Sequence, residues 1–192
     1  ESIVIENDYK DTTVSCKTNN APLEQLDKDE ILHSIREAGI VGMGGAAFPG
    51  NVKALSAMGN VDTLIANACE CEPYITADDS LLRTQPEKVL AGMEILRHVL
   101  KPEHTYLAVE DNKVGAIKCV KEILKYYPGI ELKVLPTRYP QGSEKQLIQA
   151  VTKRCVPPGG LPAAVGCAVF NVATCAAIYE AVYEGMPLVR RT

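Results

Sequence analysis

Short apolar strand patterns alternate with amphipathic helix patterns from residue 61 onward, and this alternation limits the possible folds more than any other feature. A strand–helix–strand order is typical of parallel sheets, because the helix carries the chain back to the start of the next strand. The sequence therefore predicts an α/β fold, a mostly parallel sheet with helices on both faces. The predicted strands are residues 61–66, 105–109, 130–135 and 167–171, and the predicted helices are residues 86–100, 114–124, 144–151 and 174–182.

A glycine-rich segment, Gly42-Met43-Gly44-Gly45-Ala46-Ala47-Phe48-Pro49-Gly50, follows a predicted helix that is capped by Asp27 and ends at Gly39. Glycine permits backbone conformations that side chains forbid, so the chain can approach a ligand closely. Exposed N–H groups in such a loop can bind an anion, and Lys53 adds a positive charge nearby. The segment predicts a phosphate-binding loop; a tight loop needed only for packing is the alternative. A dinucleotide-binding fingerprint would require a strand, not a helix, before the loop.

Polar side chains gather at three predicted strand-to-helix junctions, residues 67–74, 139–145 and 171–174. The carboxyl ends of parallel strands lie along one edge of a sheet, so we expect the three junctions to lie together. The glycine-rich loop must lie near the same edge if it completes a pocket there. A lysine for phosphate, amides and hydroxyls for a ring system, and paired glutamates for ribose hydroxyls would suit a nucleotide or a flavin.

Each polar side chain at these junctions also has a purely structural interpretation. Glu70 and Glu72 can be solvated loop charges. Asn67 and Asn171 can close turns, because short amides bond nearby backbone groups. Thr174 can cap a helix, and Tyr139 can pack half-buried.

The seven cysteines include no C-x-x-C pair of the kind that builds zinc or iron–sulfur sites. Several lie in apolar surroundings, where free cysteine packs as a small hydrophobe. This pattern predicts a reduced, intracellular protein without structural disulfides. A metal site built on Cys69 and Cys71 would need ligands from elsewhere, and it is retained as a separate hypothesis.

The bulk properties exclude several classes of partner. A net charge of −4 does not favour nucleic acid or an anionic membrane surface. No apolar run is long enough to span a bilayer, and no signal peptide is visible. Residues 1–24 are polar, apart from a short strand pattern at residues 2–5, and predict a linker or the end of a preceding module. We predict one domain over residues 25–192 and expect the chain to be part of a longer protein.

Four blocks of the sequence stand out: GIVGMGGAAFP at 39–49, NACECEPY at 67–74, YPQGSEKQL at 139–147 and VPPGGLP at 156–162. These blocks resemble the RnfC family, the peripheral electron-input subunit of the Rnf ion-pumping complex. Soluble relatives of that family include the electron-transfer protein of proline reductase and a cobalamin reductase. More distantly, the blocks resemble the 51-kDa flavoprotein subunit of respiratory complex I. The resemblance covers roughly residues 27–188.

The resemblance implies a Rossmann-like domain that binds FMN, with the glycine-rich loop at the ligand edge, and receives hydride from NADH. It implies no catalytic acid or base, because the chemistry belongs largely to the flavin. It also implies no metal ligand in this chain. The implied FMN-binding residues are Gly42, Gly44, Gly45, Lys53, Asn67, Glu70, Tyr139, Gly142, Glu144, Asn171 and Thr174. The implied NADH contacts are Ala46, Phe48 and Glu72.

The cluster-binding C-x-x-C-x-x-C motifs of the family do not occur in this sequence. We therefore expect 4Fe-4S clusters only in an absent C-terminal region, to which this domain would pass electrons. The implied partners are NADH and other subunits of a redox complex or reductase, without nucleic acid or a transmembrane segment. The implied location is cytoplasmic, with a peripheral position at the inner face of the membrane as one option.

The sequence departs from the complex I pattern at Met43, Ala47, Cys69 and Ser143. The complex I subunit has an arginine in place of Met43, an aspartate in place of Cys69 and a glutamate in place of Ser143. Many relatives have glycine in place of Ala47. These departures leave a second hypothesis open: a scaffold domain of the family that has lost tight flavin binding and docks a partner electron-transfer protein.

Overall fold

The structure is a computed structural model that describes residues 3–10, 12 and 15–189. Within these residues, seven α-helices and four β-strands follow one another after a 3₁₀ turn at Leu23–Gln25. The helices are α1 Lys28–Glu37, α2 Gly50–Ala57, α3 Ala77–Thr84, α4 Pro86–Leu100, α5 Val114–Leu124, α6 Glu144–Thr152 and α7 Val172–Tyr179. The strands are β1 Thr63–Ala68, β2 His104–Glu110, β3 Glu131–Leu135 and β4 Cys167–Asn171.

The four strands form one sheet in the order β3-β2-β1-β4, and all three neighbouring pairs are parallel. After β1 the chain builds outward to β2 and β3, and it then returns past β1 to add β4 on the other side. The strand order therefore reverses between β1 and β4. In open α/β sheets, ligands bind outside the carboxyl ends of the strands at such a reversal.

Helices cover both faces of the sheet, but unequally. The side chains of β1 alternate in direction, as a pleated strand requires. Leu64 and Ala66 face a large core packed against α1, α2, α4, α5 and α7, whereas Ile65 faces the opposite side. There, Leu147 and Ile148 of α6 cover the sheet, and Val156 and Val165 from the segment after α6 pack beside them. The predicted α/β fold with helices on both faces is confirmed.

Three local predictions need correction. Residues 3–5 of the predicted strand at 2–5 lie outside any strand and are exposed, with no apolar partner to cover them among the described residues; Ser2 lies outside the described residues. The last helix begins at Val172 and not at Thr174, because Asn171 caps it through a hydrogen bond from Ala173 N–H to Oδ1 (2.8 Å). The sequence pattern does not predict α3, because this helix is only eight residues long and begins with polar residues.

The tightest packing in the core joins α4 to α7 at Gly92. A methyl group at this position would lie 1.8 Å from the carbonyl oxygen of Cys175 and 2.5 Å from its carbon. Both atoms belong to the backbone of α7, so no side-chain rotation could relieve the overlap. Glycine is therefore required for the two helices to approach this closely.

We expect Gly92→Ala to lower the melting temperature, because α4 and α7 must separate. Overpacking a core costs about 1–3 kcal/mol, which corresponds to a loss of about 3–10 °C for a domain of this size. Gly115→Ala in α5 is the matched control: its methyl group meets only the flexible side chain of Arg83, at 3.2 Å. Differential scanning calorimetry compares the two variants, and equal melting temperatures would contradict the proposed close packing.

Candidate functional site

Two asparagines stand side by side at the reversal of strand order. Asn67 of β1 and Asn171 of β4 are direct partners in the strand register. Their Nδ2 groups both serve as donors: that of Asn67 donates to the carbonyl of Gly142 (2.9 Å), and that of Asn171 donates to Asp78 Oδ2 (2.8 Å). The pair thus joins four separate segments at the carboxyl edge of the sheet.

Both asparagines also make local turn bonds through Oδ1. Asn67 Oδ1 accepts the N–H of Cys69 (2.9 Å), in addition to the helix cap formed by Asn171. The interpretation that these asparagines close local turns is therefore correct. It is incomplete, because the same side chains also use Nδ2 to bond other segments.

The glycine-rich loop lies at the same edge. Its base is closed by a bridge between Val41 and Pro49 and by a hydrogen bond from Gly42 N–H to the Phe48 carbonyl (2.8 Å). The N–H of Met43 donates to Thr174 Oγ1 (2.9 Å), which attaches the loop to the first turn of α7. Thr174 is therefore a loop anchor and not the helix cap.

Two residues of the loop have positive φ angles. Gly45 has φ +124° and Ala47 has φ +49°. Alanine in the left-handed region costs about 1–2 kcal/mol relative to the right-handed one. At Ala47 the loop therefore has a backbone conformation that favours glycine, although this residue carries a methyl side chain.

The loop before α6 approaches β1 so closely that Gly142 cannot carry a side chain. A methyl group there would lie 2.0 Å from the carbonyl oxygen of Cys69 and 3.2 Å from the sulfur of Cys71. Together with the bond from Asn67 to the Gly142 carbonyl, this contact fixes the second junction, residues 139–145, against the first, residues 67–74. The three predicted junctions and the loop do meet at one edge.

Lys53 and Glu144 form an ion pair across the site. The distance from Nζ to Oε1 is 2.8 Å, and the side chains are 31% and 39% exposed. Nζ also lies 5.4 Å from the centre of the Phe170 ring, within the range of a cation–π contact. The lysine thus lies between α2 and α6, beside the cavity, with solvent access.

Glu70 is buried and occupied by structural contacts. Its side chain is 6% exposed; Oε1 accepts the N–H of Asp78 (3.0 Å), and Oε2 lies 3.4 Å from Nζ of Lys113. The carboxylate therefore complements the N-terminus of α3, where exposed N–H groups favour negative charge. The alternative that Glu70 is a solvated loop charge is wrong. Glu72 is exposed, as a solvated charge would be, and Tyr139 is 72% exposed, so it is not a half-buried packing residue.

Two cavities open on either side of the asparagine pair, with volumes of about 520 and 830 Å³. Asn67, Asn171 and Gly142 line both. All fourteen residues predicted for FMN or NADH line at least one of them. The first cavity adds Ala46, Phe48, Lys53, Glu144 and Thr174, the second adds Gly45, Glu70, Glu72 and Tyr139, and both share Gly42 and Gly44.

Two acidic residues at this edge of the sheet, Asp78 and Glu110, were not predicted from the sequence. Asp78 lines the second cavity from α3, and burial raises the pKa of Asp78 to about 6. Glu110 ends β2 at the same edge and is fully buried, and its carboxylate has no hydrogen-bond partner within the described residues. Burial raises the pKa of Glu110. The sequence signal that could have identified Glu110 as a site residue is its position at the end of a predicted strand, as for Asn67.

The cysteines do not combine into a metal centre in the part of the chain that the structure describes. That part contains no group of three or more His, Cys, Asp or Glu side chains placed to bind an ion, and its cysteines are free. Burial raises the pKa of Cys69 to about 12, so its thiol stays protonated at neutral pH, whereas metals bind the thiolate. Among the described residues, no helix is long and apolar enough to cross a membrane.

Comparison with known proteins places the site in a family. Residues 35–180, which include the whole glycine-rich loop and all three junctions, match the Nuo51 FMN-binding domain. The chain belongs to the Nuo51 FMN-binding domain family. A crystal structure of an NAD⁺-reducing [NiFe]-hydrogenase in the air-oxidised state superimposes with a TM-score of 0.69 at 26% identity, over 80% of this chain and 30% of that one.

Relatives among ion-translocating complexes confirm the RnfC resemblance. The C subunit of the proton-translocating ferredoxin:NAD⁺ oxidoreductase complex of Clostridium ljungdahlii is 47% identical over 100% of this chain and 42% of that protein. The C subunit of the ion-translocating oxidoreductase complex of Vibrio cholerae is 46% identical over 88% of this chain and 22% of that protein. The chain thus spans less than half of each of these relatives.

Glu110→Gln should stabilise the protein at neutral pH. Because the pKa of Glu110 is higher in the folded state than the ordinary value of about 4.3, the folded protein binds the proton more tightly. The contribution of Glu110 to the free energy of unfolding is therefore fully present at a pH below the pKa of this carboxyl in the unfolded chain. It is lost as the pH rises through the pKa of the same carboxyl in the folded protein. At pH 7 the variant should melt about 2–4 °C higher, the shift expected for ~1 kcal/mol.

The gain should shrink as pH falls toward about 4, where the native carboxyl is also neutral. Glu103→Gln, at an exposed position just before β2, is the control and should leave the melting temperature unchanged at every pH. A pH-independent gain in the Glu110 variant would show that its charge is not the cause.

Proposed function

We propose that this domain binds FMN at the carboxyl edge of β1 and β4 and admits electrons from NADH. The observation that carries the proposal is the convergence of the glycine-rich loop, Lys53 and the asparagine pair on two connected cavities at the strand reversal. A loop with exposed backbone and a neighbouring lysine suits a phosphate. The fit is supported further by the mainly apolar first cavity, which suits a planar ring system.

The residues of this chain would divide the work of binding. Lys53 and the loop would hold the phosphate of FMN, while the amides of Asn67 and Asn171 would bond polar atoms of the ring. Glu72 and Phe48 are exposed at the cavity mouths and would contact NADH, the carboxylate accepting from ribose hydroxyls. When bound, FMN supplies the chemistry that takes a hydride and releases electrons singly.

The destination of the electrons extends the proposal. We infer that they pass to iron–sulfur clusters in other parts of a longer protein and then to further subunits of a redox complex. This would place the domain in the cytoplasm, at the inner face of the membrane. The names of the relatives from Clostridium ljungdahlii and Vibrio cholerae, both subunits of ion-translocating complexes, support this assignment.

FMN should raise the melting temperature of the purified protein. A ligand present at 100 times its dissociation constant stabilises the folded state by about 2.7 kcal/mol, or about 5–10 °C here. Adding NADH without oxygen should then bleach the absorption band of the bound oxidised flavin. The absence of any thermal response to FMN would refute the proposed function.

Lys53→Ala should weaken FMN binding by about 10- to 100-fold, since a hydrogen bond to a charged group contributes about 1.5–3 kcal/mol. Riboflavin, which lacks the phosphate, should bind the variant and the native protein nearly equally. Lys121→Ala, an exposed lysine on α5, is the control and should leave both affinities unchanged. Flavin fluorescence titration measures all of them, and an equal loss for riboflavin would argue against phosphate binding at Lys53.

A scaffold role is the second candidate, and the exposed apolar side chains at the first cavity favour it. Phe48 is 52% exposed and Leu161 is 73% exposed, and both line the cavity. Large exposed apolar groups are common where proteins meet. A protein without flavin affinity that still bound a partner flavoprotein, and lost that binding in Leu161→Ser, would support the scaffold role instead.

A further inference from the structure

Asp78 contacts the candidate site from a helix that the proposed function does not otherwise use. It lies in the first turn of α3 and lines the second cavity. Its Oδ2 accepts the Nδ2 hydrogen of Asn171 at 2.8 Å, and its main-chain N–H donates to Glu70 Oε1 at 3.0 Å. The carboxylate therefore bonds one of the two asparagines that separate the cavities.

The contact determines the orientation of the Asn171 amide. Oδ1 accepts the N–H of Ala173 and caps α7, while Nδ2 faces Asp78 and lies 3.5 Å from the carbonyl of Asn67. A flipped amide would direct Oδ1 toward the carboxylate and that carbonyl, and Nδ2 toward an N–H donor. Asp78 is the nearer of the two acceptors at Nδ2, so its carboxylate makes the larger contribution to the observed orientation at that end of the amide.

The surroundings of Asp78 make its charge sensitive to pH. Glu70 faces it from the segment after β1, and Lys113 faces it from the start of α5. The thiol of Cys69, directly after β1, and that of Cys175 on α7 lie nearby. Burial is the largest influence and raises the pKa of Asp78 to about 6; the negative charge of Glu70 acts in the same direction, while the bond from Asn171 and the charge of Lys113 oppose them.

We propose that Asp78 is a positioning residue that holds the Asn171 amide toward the flavin site, and that this hold weakens when Asp78 binds a proton. An ionised carboxylate accepts a hydrogen bond about twice as strong as a neutral acceptor does. Loss of the charge therefore loosens Asn171 without removing the contact. The inference deepens the proposed function, on which its flavin-binding part depends.

The first test uses the protein without flavin. In an NMR titration, the side-chain NH₂ signals of Asn171 and the amide signal of Ala173 should shift with a midpoint near pH 6. Asp78→Asn keeps an acceptor oxygen but cannot ionise, so the same signals should stay constant. Asp79→Asn is the matched control: it removes a neighbouring acid on the same helix that pairs with Arg83, and the titration should persist. The proposal is overturned if the Asn171 side-chain signals do not shift with pH, or if they shift equally in Asp78→Asn.

The second test measures riboflavin affinity, because riboflavin lacks the phosphate that titrates in the same range. Binding by the native protein should tighten about fivefold between about pH 5 and about pH 7.5, the difference of ~1 kcal/mol between a charged and a neutral acceptor. Asp78→Asn should show no such change, and Asp79→Asn should behave as the native protein does. An unaltered pH profile in Asp78→Asn contradicts the proposal.

The two tests separate failure of this inference from failure of the proposed function. If the native protein binds neither FMN nor riboflavin at any pH, the proposed function fails. The NMR titration still decides whether Asp78 positions Asn171. If flavin binds but neither readout depends on Asp78, the proposed function stands and the positioning role is wrong.

Discussion

The pairing of Asn67 with Asn171 across neighbouring parallel strands is the contact on which the site depends. The register of β1 and β4 places both amides at the reversal of strand order. Each amide satisfies its own turn through Oδ1 and has Nδ2 left to bond another segment, the loop at Gly142 or α3 at Asp78. These bonds fix the four segments relative to one another around the two cavities, both of which the asparagines line. A slip of one residue in the register would put the two side chains on opposite faces of the sheet.

The large core on one face compensates for the unfavourable features of this arrangement. Asp78 and Glu110 are acids whose burial raises their pKa, so their ionised forms oppose folding at neutral pH. Ala47 adds backbone strain in the loop. Such features are typical of binding sites and persist only where the surrounding structure stabilises them. Here the close contact of α4 with α7 at Gly92 and the apolar layer beneath the sheet provide that stabilisation.

The sequence predicted the sheet and the meeting of the junctions because both follow from short-range patterns. Alternating strand and helix periodicity requires parallel strands, and parallel strands bring their carboxyl ends to one edge. The residues that escaped prediction depend on long-range contacts. Nothing near Asp78 in the sequence indicates that its carboxylate meets a residue 93 positions away. The burial of Glu70, which excludes the alternative of a solvated loop charge, could not be predicted because it comes from α3, a helix too short and polar to predict, and from Lys113.

The charges of the site limit how an anionic ligand could enter it. Lys53 and Lys113 each already contact a glutamate, at 2.8 and 3.4 Å. The Lys113 pair is the more buried and also involves the start of α3, so breaking it would expose a helix end. The Lys53 pair is about one-third exposed, and pairs of that kind contribute at most about 1 kcal/mol. A phosphate that forms charge-assisted bonds of about 1.5–3 kcal/mol can therefore displace Glu144 from Lys53. If FMN binds as proposed, the displaced carboxylate would stay beside the cavity and accept from a sugar hydroxyl, so the same ion pair would provide a cation for one part of the nucleotide and an acceptor for another.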